Sequence, residues 1–374
     1  MKIYYWMISE VNEESMFMFS IKPATMTMLK SIVVLAGLFI CGCNPSADTD
    51  EHLLKNAPEA SIYEISGPIM GSSYHIKVVL TPDVQLLEDL RIGVKDALNR
   101  VDRLMSTYKP DSEISRFNVS PQNEWFQVSA DTFEVIALGQ SISSTSEGFY
   151  DMTVGPLVNS WGFGPTGKPV KVPDEAQLQA GLVRVGFNFL KLDSKSSAIS
   201  KTADIYLDLS SIAKGYAVDV VANYLEQQGV ENYLVEVGGE IRALGYKPHN
   251  ESWRLAIESP TVEQRSVFKV VELTNGGLAT SGDYRNYYEN NGIRYSHTIN
   301  PFTGKPVQHQ LTSVSVVRPT SAEADAMATM FMVMGTERGF QFAVENRIAA
   351  YFIFRNGSGF KSKSTLQFEK YLTQ

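Results

Sequence analysis

Near the C-terminus, Ser321-Ala-Glu-Ala-Asp325-Ala-Met-Ala-Thr329 sets a carboxylate and a hydroxyl four residues apart. On a helix both side chains then share one face, where two hard oxygens can hold one hard cation. The same pair also suits a plainer role, an acid near a helix start and a half-buried hydroxyl one turn later. Upstream, Asp208-Leu-Ser-Ser211-Ile-Ala-Lys214 runs from a strand end into a helix. Its Ser-Ser pair can cap that helix, whose first amides favour anions. Lys214 falls in the first turn, where a cation works against the helix dipole. A bound diphosphate would give it a reason to be there; a solvated surface lysine is the alternative.

Proton-transfer candidates are few. His297, one of only five histidines, sits in the Pro- and Gly-punctuated stretch Tyr295-Ser-His297-Thr-Ile299-Asn-Pro301-Phe-Thr-Gly304, which suits such a group. Asp283 follows Gly282 in Ala279-Thr-Ser281-Gly282-Asp283-Tyr284-Arg285 and is either an acid/base or a turn residue. Val235-Glu-Val-Gly238-Gly239-Glu240 is a second Gly-containing turn beside strands, where backbone amides can approach a ligand or simply close a hairpin. Phe149-Tyr150-Asp151-Met-Thr153 to Gly164 is dense in aromatics and glycines, able to stack a flat heteroaromatic ring or to close the core.

The elements that must hold these residues follow from periodicity. Ser61 to Leu80 alternates like a hairpin, with Gly67-Pro68 and Gly71-Ser72 as its turn candidates. Leu86 to Met105 changes to helical spacing, and Thr107 to Asn118 reads as a polar loop. Further helices are predicted over Thr132–Thr145, Asp174–Val185, Ile212–Gln228, Ala322–Met334 and Glu337–Glu345. Strands are predicted over Leu190–Asp193, Ile205–Leu207, Tyr233–Val237, Ile241–Tyr246, Trp253–Ile257, Val267–Leu273, Leu311–Arg318 and Ala349–Arg355. Long helices against largely antiparallel strands make the fold class α/β, more closely α+β, in one catalytic domain over residues 61–374.

With 374 residues, 44% hydrophobic and 20% charged, the chain is an ordinary globular protein long enough for a large core. Its net charge of -8 and lack of clustered Lys and Arg argue against a nucleic-acid surface. Leu29-Lys30-Ser31, the apolar run Ile32 to Ile40 and Cys41-Gly42-Cys43 read as a lipoprotein signal over residues 26–42, with Cys43 the acylated residue. That run is too short for a membrane-spanning helix. Residues 1–25 carry Glu10, Glu13 and Glu14, unlike a signal n-region, so translation is expected to start at Met26 or Met28. Residues 43–60 then form a polar tether, and Cys43 would be the only cysteine of the exported chain, leaving no internal disulfide.

Taken in order, Met70-Gly71-Ser72, the Thr107 to Asn118 stretch, the Asp151 to Gly164 loop, Asp208 to Asp219, Gly238-Gly239, Thr280 to Arg285, His297 to Gly304 and Glu323 to Thr329 resemble the ApbE family. The resemblance spans about Ile62 to Ala350. Members of that family are FAD:protein FMN transferases, exported and often lipid-anchored. The resemblance implies a T-fold-type architecture, with FAD contacts at Met70, Tyr108, Phe149, Tyr150, Asp151, Asp208, Lys214 and Ile299. It implies a Mg²⁺ held by Ser211 (through its carbonyl), Asp325 and Thr329, and His297 as the group that activates the acceptor hydroxyl, with Asp283 as its rival. The chain departs from the family pattern in having Asn300 and Phe302 where Asp and Arg are commoner, and Tyr150-Asp151-Met152 in place of Phe-Asp-Pro.

The chemistry so implied is attack by a Thr or Ser hydroxyl of an exported acceptor, such as a subunit of a flavin-dependent redox complex, on the FMN-side phosphorus of FAD, with release of AMP. The protein is expected to be lipid-anchored to a bacterial membrane, the inner one favoured, facing the periplasm. An FAD pyrophosphatase giving FMN and AMP, and a non-catalytic FAD-binding lipoprotein, are the alternative readings.

Overall fold

A computed structural model describes residues 59–373 apart from 168–170, 262–265, 285 and 291, so Cys43, the signal region and nearly all of the tether lie outside the described residues. The chain opens with β1 (Ser61–Ile69), β2 (Ser72–Leu80), α1 (Val84–Met105), α2 (Glu113–Asn118), β3 (Phe126–Gln127), α3 (Ala130–Thr145), α4 (Gly155–Ser160), α5 (Glu175–Leu182), β4 (Leu190–Asp193) and β5 (Ala198–Lys201). Then come α6 (Ala213–Gln227), β6 (Tyr233–Val237), β7 (Glu240–Leu244), β8 (Trp253–Glu258), β9 (Val267–Leu273), β10 (Asn275–Gly282), β11 (Tyr287–Asn290) and β12 (Ile293–Ser296). The chain closes with β13 (Leu311–Arg318), α7 (Ser321–Met334), α8 (Thr336–Glu345), β14 (Ala349–Asn356), β15 (Gly359–Ser364) and α9 (Leu366–Glu369).

The frame is one eight-stranded sheet in the order β1-β2-β6-β7-β10-β13-β14-β15, every neighbouring pair antiparallel. Alternation sorts its side chains into two cores. On one face Val235, Val237, Val314 and Val316 pack with the helices, including Leu90, Val94, Leu98, Val101 and Met105 of α1. On the other, Leu234, Ile241, Leu278 and Ile353 pack with the β8–β9 hairpin and Phe368 of α9. α1 begins where Asp83 accepts the Leu86 amide at 2.9 Å, a side-chain cap. Among the described residues no helix is long and apolar enough to cross a membrane.

Four local expectations change. The first hairpin turns at Met70-Gly71, with Ile69 opposite Ser72, and Gly67-Pro68 stays inside β1. The 107–118 segment is not all loop: Ser112 caps α2 by accepting the Ser115 amide. Ile205–Leu207 is not a strand. Among the described residues its one ladder contact is a bridge from Tyr206 to Val154, and the Asn118 side chain holds it instead, donating to the Leu207 carbonyl (2.9 Å) and accepting the Leu207 amide (2.7 Å). Finally, the first half of the Ala279–Arg285 stretch, expected as a Gly-containing turn, belongs to the central strand Asn275–Gly282. Its small residues answer to close approach by α7, since a Cβ on Gly277 would lie 2.5 Å from the Ser321 amide nitrogen.

Candidate active site

A cleft of about 430 Å³ opens where the β1–β2 turn, the loop before α4, the start of α6, the β6–β7 turn, the end of β10 and α7 meet. It gathers Met70, Tyr108, Phe149, Tyr150, Asp151 and Asp208 along one side. Ser211, Lys214, His297, Ile299, Asp325 and Thr329 line it as well. Asp283 does not. Its amide continues the β10–β13 ladder by donating to the Thr312 carbonyl at 3.0 Å, and its carboxylate lies 3.9 Å from Arg355, so the rival proton acceptor stands outside the cleft.

The corner formed by α6 and α7 is organised by two crossed caps. The Gly215 amide in the first turn of α6 donates to Asp325 Oδ2 of α7 (3.1 Å). In return the Ser321 and Ala322 amides opening α7 donate to Asp219 of α6 (2.9 and 2.8 Å). Each helix therefore supplies the carboxylate that the other's exposed amides require. The Ser-Ser pair does not cap α6, contrary to expectation: Ile212 occupies the cap position without a side-chain bond, and Ser211 Oγ instead donates to the Tyr150 hydroxyl (3.0 Å). Because the Gly215 amide goes to Asp325, the Ser211 carbonyl loses the donor four residues on that a continuing helix would give it.

A carboxylate, a hydroxyl and a spare carbonyl are thus offered from Asp325, Thr329 and Ser211. This all-oxygen set suits Mg²⁺. Among the described residues there is no group of three or more His, Cys, Asp or Glu able to hold a metal, so any ion here takes its charge partner mainly from Asp325. Thr329 Oγ1 is 3.3 Å from Ser281 Oγ. Burial raises the pKa of Asp325, with Lys214 and the Gly215 amide pulling it back down.

Lys214 is not a solvated surface residue. Its Nζ lies 2.6 Å from Glu240 Oε1, and Glu240 is buried. Glu236 is buried nearby, with Oε1 accepting the Gly239 amide at 2.7 Å and Oε2 without a hydrogen-bond partner among the described residues. Burial lifts Glu236 to about 7 and Glu240 to about 8, the lysine opposing both shifts. In the sequence these two acids are masked by the Gly-Gly between them, which reads first as a turn. That pair does form the β6–β7 turn, at φ of 62° and 111°, which favour glycine. The available signal was a glutamate inside the apolar run Tyr233-Leu-Val-Glu236-Val237, all buried.

His297 is held from one side. Its Nδ1 is 3.0 Å from the Asn286 carbonyl, which can only accept, so the neutral ring carries its proton there and keeps a lone pair on Nε2. Burial, and then the Lys214 charge against the opposing pull of that hydrogen bond, lowers its pKa to about 4. Tyr108, Phe149 and Phe163 supply aromatic lining, backed by further rings. The Tyr108 hydroxyl donates to the Phe163 carbonyl (3.2 Å), Phe163 packs tilted at 5.5 Å against Tyr288, and Tyr288 stacks at 5.4 Å on Tyr295. Phe302 meets Phe149 edge-on at 4.9 Å. The Asp151 carboxylate is occupied by its own fold, Oδ1 accepting from Thr153 and Oδ2 from the Phe187 amide, so it shapes the pocket more than it offers charge.

These features are those of a flavin-transferase-type cleft on a largely antiparallel α+β frame, and comparison with known proteins agrees. The chain belongs to the ApbE family, whose profile matches residues 70–352. It is 41% identical to the FAD:protein FMN transferase of Vibrio cholerae over 345 residues, covering 92% of this chain and 99% of that protein. It is 43% identical to the protein of the same description from Haemophilus influenzae over 318 residues, covering 83% of this chain and 92% of that one. Among solved structures, the apo flavinyl transferase ApbE of Pseudomonas stutzeri superposes with a TM-score of 0.77 at 40% identity, covering 84% of this chain and 98% of that one.

Proposed function

We propose that this chain transfers FMN from FAD to a Thr or Ser hydroxyl of an exported acceptor protein, with Mg²⁺ and with release of AMP. One observation carries the reading: every residue expected to hold FAD or metal, though scattered from Met70 to Thr329, lines a single cleft.

The acceptor oxygen attacks the FMN-side phosphorus, a P–O bond forms to the acceptor, and the P–O bond to AMP breaks. His297 Nε2, neutral and facing the cleft, takes the hydroxyl proton. Lys214, oriented by Glu240, faces the diphosphate and balances its charge. Asp325, Thr329 and the Ser211 carbonyl are the groups that would hold Mg²⁺, which when bound supplies Lewis-acid neutralisation of the phosphates. Tyr108 and Phe163, joined by the bond from the Tyr108 hydroxyl to the Phe163 carbonyl, bound the cleft on one flank. The apolar run Ile32 to Ile40 before Cys41-Gly42-Cys43 supports export and lipid anchoring at Cys43, with residues 43–60 as the tether.

The test is incubation of the purified protein with FAD, Mg²⁺ and a peptide carrying a Ser/Thr-Gly-Ala-Ser/Thr-x-Thr pattern. An FMN-sized mass gain on the peptide with equimolar AMP is the expected result. AMP and FMN with unmodified peptide would identify a pyrophosphatase instead, and FAD recovered intact would identify a binding protein.

A further inference from the structure

The large sheet has an opening in its hydrogen bonding that faces the cleft. β10 pairs with β13 from Gly277↔Arg318 to Gly282↔Ser313, but with β7 only from Asn275↔Leu244 to Leu278↔Ile241. Beyond that point β7 has already turned back through Gly239 and Gly238. Alternation along an antiparallel ladder fixes which groups are left over. The Thr274 carbonyl accepts the Gly245 amide on the β7 side (2.9 Å), and the Asp283 amide donates to Thr312 on the β13 side (3.0 Å). Even-numbered residues of β10 therefore direct their main-chain groups toward β7. Thr280 and Gly282 are the even-numbered positions past the last β7 pair, and among the described residues their N–H and C=O groups meet no strand. Both line the cleft.

This edge is anchored beside the chemistry. Thr280 Oγ1 is 2.8 Å from Ser315 Oγ on the neighbouring strand, and Ser281 Oγ is 3.3 Å from Thr329 Oγ1, a proposed metal ligand. The expected FAD contacts all come from other segments, at residues 70, 108, 149–151, 208, 214 and 299, so this wall is left for the second substrate. An open strand edge recognises extended main chain and tolerates varied side chains. That is the recognition needed by an enzyme acting on one hydroxyl within a short protein segment.

Resting on the transferase reading, we propose that the target segment of the acceptor protein binds as an extended strand against Thr280–Gly282, prolonging the sheet where β7 ends and presenting its hydroxyl beside Thr329. Two measurements on the unmodified enzyme test this. The first uses the acceptor peptide above in versions N-methylated at one backbone position each. Sensitivity should alternate, with methylation at every second position lowering kcat/KM about tenfold, the loss of a main-chain hydrogen bond, and the positions between left near the parent value. The second is hydrogen exchange of the Thr280 and Gly282 amides, expected to slow on adding a peptide whose acceptor Thr is Ala and to be unchanged by FAD alone. Equal rates for all methylated peptides, or protection by FAD alone as when the flavin ring edge occupies the strand, would overturn the proposal. Should no peptide be flavinylated, the transferase reading fails on its own, and the exchange experiment still decides whether peptide seats on this edge.

Discussion

Asp325 has one role in the fold and one proposed role in metal binding, and a pair of substitutions can separate them. Its Oδ2 accepts the Gly215 amide at 3.1 Å, closing the start of α6, and its carboxylate is the one acidic group among the proposed Mg²⁺ ligands. In Asp325→Asn the amide oxygen can still accept from Gly215, while the charge is gone. In Asp325→Ala both are lost, leaving a buried amide unpaired, which costs about 1–3 kcal/mol. Burial also raises the folded-state pKa of Asp325. A carboxyl of this kind holds its proton longer in the folded protein than in the unfolded one, so its contribution to stability diminishes as pH rises through that interval. The Asn variant carries no such penalty. In chelator at pH 7.5, urea unfolding should therefore rank Asn at or above wild type, with Ala below it by about 1–3 kcal/mol. FAD turnover should be lost in both variants at limiting Mg²⁺. An Asn variant as unstable as Ala would refute the crossed-cap account, and wild-type turnover in Asn at limiting Mg²⁺ would refute the metal assignment.

Three further outcomes follow from the same corner. Glu236, lifted by burial to about 7, should make metal-free stability fall by roughly 3 kcal/mol as pH rises from 4.5 to 7, and Glu236→Gln should flatten that slope in denaturant titrations. His297→Ala should bind FAD normally in fluorescence titrations while transfer drops on the order of 10²–10⁴-fold. With the wild-type ring held near 4, the rate should show no histidine limb between pH 5 and 8, and a limb near 6.5 would refute that lowered value. Lys214→Met removes the partner of Glu240, whose carboxyl then holds its proton at neutral pH and is forced to ionise unpaired only above about pH 8; stability should therefore fall as pH rises from 4.5 to that point, and adding Glu240→Gln should flatten that fall without restoring FAD affinity, as calorimetry across pH can check.

Much of this was legible in the sequence where one signal acts alone. The apolar stripe of α1 and the alternation of β2 answer to a single packing face, so periodicity located them. The Asp325/Thr329 spacing correctly placed both groups on one side of a helix, lining one cleft. What escaped was set by partners remote in the chain. β10 is poor in β-formers because α7 presses against it, and Ile205–Leu207 alternates like a strand yet is claimed by Asn118. Lys214 resembled a free cation because Glu240 reaches it only through the β6–β7 turn. Asp283 appeared as suitable for proton transfer as His297, and only the ladder bond to Thr312 turns it away.

The crossed caps of α6 and α7 also bear on the order in which the protein is assembled. They join residues separated by 110 and 102 positions, so neither helix start can be completed until a loop of that length has closed. A chain folded only as far as β13 holds most of its aromatic lining yet lacks both the acid and the hydroxyl that α7 brings. Competence to bind a cation at the proposed site should therefore wait on the docking of α7 against α6, making it a reporter of that step rather than a nucleus for folding.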